Sequence, residues 1–106
     1  MPKKINDLLR IMVERKASDL HISAGSSIHI RIDEKLVPID DKILLPEESK
    51  DLSYSVLSED QIKKFEHDLE LDMAFGIKDL GRFRTNIFLQ RGVTCCAIRL
   101  IPYDIW

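Results

Sequence analysis

Much that would mark a membrane protein, a secreted protein or a self-contained catalyst is missing from this sequence. Its apolar runs are only a few residues long, far short of the roughly 20 a helix needs to cross a bilayer. The opening MPKKINDLL carries lysines but neither an apolar stretch nor a small-residue cleavage site, so no signal peptide is expected. Cysteine is confined to Cys95 and Cys96. Neighbours in a strand point to opposite faces, which leaves these two poorly placed to pair or to share a metal. They read as structural thiols of a reducing cytoplasm. Charge of one sign is also lacking: the formal net charge of −2 argues against a general nucleic-acid binder, which would be strongly basic. No GxxxxGK[ST], GxGxxG, HExxH, GxSxG or CxxC occurs. His21, His29 and His67 are scattered, and only the first two can share a sheet face, so no metal site is expected. No residue is assigned a catalytic role.

What is present is the make-up of one folded domain: 106 residues, 44% hydrophobic and 32% charged. Ile5, Leu8, Leu9, Met12 and Val13 repeat at helical spacing and predict a helix over about Lys4–Lys16. The period then drops to two. Asp19–Ser23 reads as a strand burying Leu20 and Ile22, and Ile28, Ile30 and Ile32 line one face of a second. Asp33-Glu34-Lys35 is a turn into a third, Leu36–Ile39, where Pro38 implies an edge or a gap in pairing. Pro46 opens a helix with Leu52 and Val56 on its apolar face. Ser58 and Gln61 have the capping-box form for another, with Ile62, Phe65 and Leu69 as its stripe. Strands return near Asp72–Ile77, link through Lys78-Asp79, and continue into Gly81–Leu100. The expected fold is α+β: one mostly antiparallel six-stranded sheet with about three helices packed on one face.

Gly81–Leu100 carries the most information. It reads as two strands joined at Gln90-Arg91-Gly92. Phe83, Thr85, Ile87 and Leu89 share one face, while Arg82, Arg84, Asn86 and Gln90 share the other with Phe88 among them. Cys96, Ile98 and Leu100 match the first face and Arg99 the second. An open sheet face bearing several guanidinium groups suits phosphate, because each planar fork offers paired donors and a permanent charge. The same pattern serves simply to solvate a sheet. Asp19 and His21, two apart on one strand, are placed for a hydrogen-bonded network or an interface contact, or for an acid–base pair.

Several fragments taken together resemble the type IV pilus retraction ATPases, the PilT family of secretion ATPases. Ala17–Ser23 is similar to the ASDLHLS segment after their first helix. Arg31–Asp33 with Leu36–Ile39 resembles their R-x-D-G…L-x-P-L hairpin, although Asp33-Glu34 stands where relatives have Asp-Gly. Glu70–Phe75 resembles E-x-D-x-(S/A)-F, Gly81–Asn86 resembles x-R-F-R-x-N, and Ala97–Pro102 resembles F-R-x-I-P. Ser26-Ser27 departs from the prolines usual after Gly25. The resemblance implies a PAS-like N-terminal domain over residues 1–102, with 103–106 starting a linker to a RecA-like ATPase domain. It implies that Arg84 and Arg99, and more weakly Arg82, reach toward nucleotide phosphates, and that Asp19, His21 and Arg31 serve packing or subunit contacts. The fragment itself is expected to bind no cofactor, with ATP and Mg²⁺ held in the full-length parent. The implied partners are RecA-like domains of the same and the neighbouring subunit in a homo-hexamer, and pilus base machinery at the inner membrane. Nucleic acid is not among them. The implied location is the cytoplasm, peripheral to that membrane. The alternatives are a free-standing PAS-like sensor or interaction module, and the equivalent domain of a pilus-extension or type II secretion ATPase.

Overall fold

The computed structural model describes residues 4–101. The expected linker at 103–106 and Pro102 lie outside that range. The elements run α1 (Ile5–Glu14), β1 (Asp19–Ile22), β2 (His29–Ile32), β3 (Lys35–Pro38), α2 (Pro46–Tyr54), α3 (Glu59–Asp68), β4 (Glu70–Ile77), β5 (Gly81–Gln90) and β6 (Val93–Ile101). The strands form one six-stranded sheet in the order β3-β2-β1-β6-β5-β4, every neighbouring pair antiparallel. Two three-stranded meanders are thus joined side by side through β1 and β6. The helices α2 and α3 make the crossover between them. Among the described residues this is the α+β architecture expected from the pattern, wholly rather than mostly antiparallel.

One face of the sheet is covered. The helices α1 and α2 pack on β1, α2 also covers β6, and α3 lies against β4. Leu8, Leu9 and Met12 of α1 meet Leu20, Ile30, Phe83, Ile87 and Ile98 of the strands, all removed from solvent. Burying an aliphatic or aromatic side chain of this size is worth about 1.5–3 kcal/mol. Phe75 stacks on Phe83 with ring centroids 5.5 Å apart, and Tyr54 meets Phe65 edge-on at 6.0 Å. The strand parities that bury this face leave the other open.

Three expected core positions are displaced. The helix α2 stops at Tyr54, so Val56 lies beyond it and is only partly buried; Ser49 and Ser53 join Leu52 on the buried side. Ser49 fits there because its hydroxyl donates to the Thr94 carbonyl at 2.6 Å. Leu69 ends α3 in a left-handed conformation (φ 64°) and is 53% exposed, since leaving the helical path takes it off the stripe. Leu89 has the inward parity but sits at the hairpin tip and is exposed.

Turn chemistry sets the register. The loop between β5 and β6 is Arg91-Gly92, both at positive φ (54° and 78°), the backbone of a two-residue type I′ hairpin. Asp33-Glu34 closes β2 on β3 in the same way with φ of 50° and 68°, but without a glycine. Pro38 ends β3 at the outer edge of the sheet, where its missing donor breaks no interior ladder.

Candidate functional site

The register brings residues from both meanders into rows across the open face. In one row Arg31 faces Asp19, Asp19 faces Arg99, and Arg99 faces Arg84. In the next, His29, His21, Ala97, Asn86 and Asp72 follow one another across β2, β1, β6, β5 and β4. Arg84 and Arg99 are therefore direct cross-strand neighbours, a like-charge pairing that costs stability unless compensated. Compensation comes from either side. Asp72 accepts from Arg84 through two bonds, Nε to Oδ1 at 3.3 Å and a terminal nitrogen to Oδ2 at 2.7 Å. Asp19 lies 3.6 Å from Arg99 Nε and also accepts from the Ser18 hydroxyl at 2.6 Å.

The two pairs differ in anchoring. Asp19 is only 16% exposed and fixed by Ser18, whereas Asp72 is 50% exposed. Both guanidinium groups stand mostly in water, at 67% for Arg84 and 73% for Arg99. The Arg84 fork holds the Asp72 carboxyl below its ordinary range, and the carboxylate in turn raises Arg84. Together Asp19, Glu70, Asp72, Arg84, Asn86 and Arg99 line a shallow open depression of about 430 Å³.

The other expected site residues lie around it. Arg82 is on the same face one row further along, opposite Gly76, and its side chain lies across that glycine rather than in the depression. Arg31 turns outward to donate to the Glu34 carbonyl at 3.2 Å. His21 is half-buried beside His29, and the Nε2 atom is shut off from solvent without a hydrogen-bond partner among the described residues. Burial pushes its pKa down, with the charges of Arg31 and His29 adding to that and Asp19 opposing it. The hydrogen bonds of the Asp19 carboxylate and the His29 ring go to Ser18 and the Ser27 carbonyl, not into an acid–base pair with His21. Asp72 was absent from the residues singled out by sequence. Its signal was available: on β4 it has the parity of the open face, two residues from the edge-strand start.

Two three-stranded meanders in one antiparallel sheet, with helices on one face, match the N-terminal domain of the PilT-type pilus ATPases. Over nearly its whole length the chain is homologous to type IV pilus ATPases of the PilT and PilU kind and corresponds to the N-terminal domain of PilT. It is 36% identical over 101 residues to the type IV pilus retraction ATPase PilT of Pseudomonas aeruginosa, covering 95% of this chain and 29% of that protein. It is 33% identical over 98 residues to the type IV pilus ATPase PilU of the same organism, covering 92% of this chain and 26% of that one. The crystal structure of the pilus retraction motor PilT with bound ADP superposes with a TM-score of 0.90 at 34% identity, over 99% of this chain and 31% of the other. The chain thus spans under a third of the length of these relatives. No protein-family model matches it.

Proposed function

We propose that this chain acts as the N-terminal domain of a hexameric, cytoplasmic pilus retraction ATPase and presents Arg84 and Arg99 to the phosphates of a nucleotide held by a RecA-like domain. The observation that carries this reading is the placement of Arg84 and Arg99 as exposed cross-strand neighbours on the one sheet face that the helices leave open. A guanidinium already fitted edge-on to a carboxylate has the donor geometry a phosphoryl group needs. As charge develops on a transferring phosphoryl, such donors stabilise it without prior reorganisation.

In this reading the Mg²⁺ ligands and the phosphate-cradling loop belong to the RecA-like domain. Bound ATP and Mg²⁺ would supply the reacting phosphoanhydride and its charge neutralisation, while this chain supplies positioned positive charge. Asp19, His21 and Arg31 serve packing or the contact with a neighbouring subunit, and Arg82 is a weaker third arginine, its side chain lying across Gly76 rather than in the depression. Pilus base machinery at the inner membrane is the partner of the whole motor. Among the described residues no helix is long and apolar enough to cross a membrane.

The test is ATP turnover in the full-length parent. Arg84→Ala and Arg99→Ala are each expected to lower it about tenfold or more, given the 10³–10⁵ that arginine contacts supply in other phosphoryl-transfer enzymes. The isolated chain is expected to hydrolyse no ATP above background. Parental turnover in both variants would overturn the arginine assignment, and isolated-chain activity that survives repurification would overturn the division of labour.

A further inference from the structure

We propose that Asp72 is a built-in competitor for phosphate at Arg84, occupying the same edge of the guanidinium that a nucleotide's phosphate would take. This rests on the reading that Arg84 meets a nucleotide, and it adds the device that regulates that contact.

Three observations carry it. Asp72 engages Arg84 side-on, with Nε and a terminal nitrogen each reaching a separate carboxylate oxygen at 3.3 and 2.7 Å. Two oxygens of a phosphoryl group can bind that Nε edge in the same way, so at this edge the two acceptors exclude each other. The pair is exposed on both sides, and an exposed ion pair contributes little stability, so breaking it to admit a phosphate is cheap. The surrounding depression is lined by three carboxylates, Asp19, Glu70 and Asp72, against two guanidinium groups, Arg84 and Arg99. With Asp72 in place the face does not concentrate free anions; a phosphate must arrive positioned by another domain to displace it. Asp19 is not equivalent, because Ser18 holds it and it meets Arg99 only through Nε at 3.6 Å.

Asp72 is thus a positioning residue. It keeps the Arg84 fork extended and occupied between encounters.

The experiment titrates this 106-residue chain with sodium tripolyphosphate at constant ionic strength, following the arginine Nε–H resonances by NMR. Asp72→Asn is expected to bind about fivefold tighter than the unsubstituted chain, the release set by one surface ion pair, with the Arg84 resonance moving most. Asp72→Asn with Arg84→Ala is expected to lose that gain. Glu70→Gln removes the same charge from the same depression without freeing a guanidinium, and is expected to gain less than Asp72→Asn. Unchanged affinity in Asp72→Asn, an equal gain in Glu70→Gln, or a gain that persists without Arg84 would each overturn the proposal. These results are independent of turnover in the parent, so failure here and failure of the arginine assignment are told apart.

Discussion

Ser49 and Ser53 stand one turn apart on the buried side of α2, and their different surroundings give opposite expectations. The Ser49 hydroxyl donates to the Thr94 carbonyl and ties the helix to β6. Ser49→Ala is expected to lower unfolding stability by about 1 kcal/mol, the net worth of one buried hydrogen bond. Ser53 is equally buried but, among the described residues, has only the weak Cys96 thiol beside its oxygen. Ser53→Ala is expected to be neutral or slightly stabilising, because it removes a polar atom that gains little from its site. Urea unfolding midpoints of the two variants check the contrast. Burial pushes the Cys96 thiol up to about 12, so it stays protonated and unreactive at neutral pH. Iodoacetamide at pH 8 is expected to leave Cys96 unmodified in the folded chain and to modify it in denaturant, as read by mass spectrometry.

At the scale of elements, the two hairpins show how local chemistry carries the register. The β5–β6 turn places Gly92 at φ 78° where a side chain would be strained, whereas the β2–β3 turn sets Glu34 at φ 68° with no glycine. Left-handed backbone costs a residue with a Cβ roughly 1–2 kcal/mol. Glu34→Gly is therefore expected to raise stability by about 0.5–1 kcal/mol after the added chain entropy of glycine is subtracted, a thermal melt being the check. Most of the element order was legible because period-two and period-3.6 patterns alternate cleanly along the chain. The α3 start was legible to the residue, since Ser58 and Gln61 exchange both capping bonds, at 3.2 and 2.9 Å. Helix ends were less so. Leu69 continues the apolar spacing of α3, and only the left-handed turn into β4 shows that the spacing has outlived the helix. A serine-faced helix such as α2 hides its buried side from any count of apolar residues.

Across the whole molecule, charge is arranged as a lattice that reading strands singly cannot reveal. Parity alone put Arg84, Arg99, Asp19 and His21 on open faces. That Arg84 and Arg99 are neighbours follows from the β5–β6 register, and that Asp19 joins them follows from β1 pairing with β6, a contact about 80 residues apart in sequence. Asp72 needs only the local β4–β5 register, which sets it opposite Asn86 and within reach of Arg84. The lattice has a pH signature. His21 titrates below 6.5 in the folded state because it is half-buried, so the unfolded chain binds the extra proton first and stability falls as pH drops through and below 6.5. Asp72, held below 3.8 by Arg84, adds a contribution of the same sign, present above that value and lost as pH falls through the lowered one. His21→Asn is expected to flatten the decline between pH 7 and 5 while leaving the steeper acid limb. Denaturant midpoints from pH 7 down to below 3.8 measure both.

The central claim concerns where Arg84 and Arg99 point when a nucleotide is bound. The most direct measurement is a structure of the full-length parent with a non-hydrolysable ATP analogue in the RecA-like domain. The account predicts a guanidinium nitrogen of Arg84 or Arg99 within about 3 Å of a phosphate oxygen in at least one subunit, with the Arg84–Asp72 pair opened where Arg84 makes that contact. Phosphates more than one water layer from both arginines in every nucleotide-filled subunit, with Asp72 still on Arg84 and Asp19 on Arg99, would contradict it.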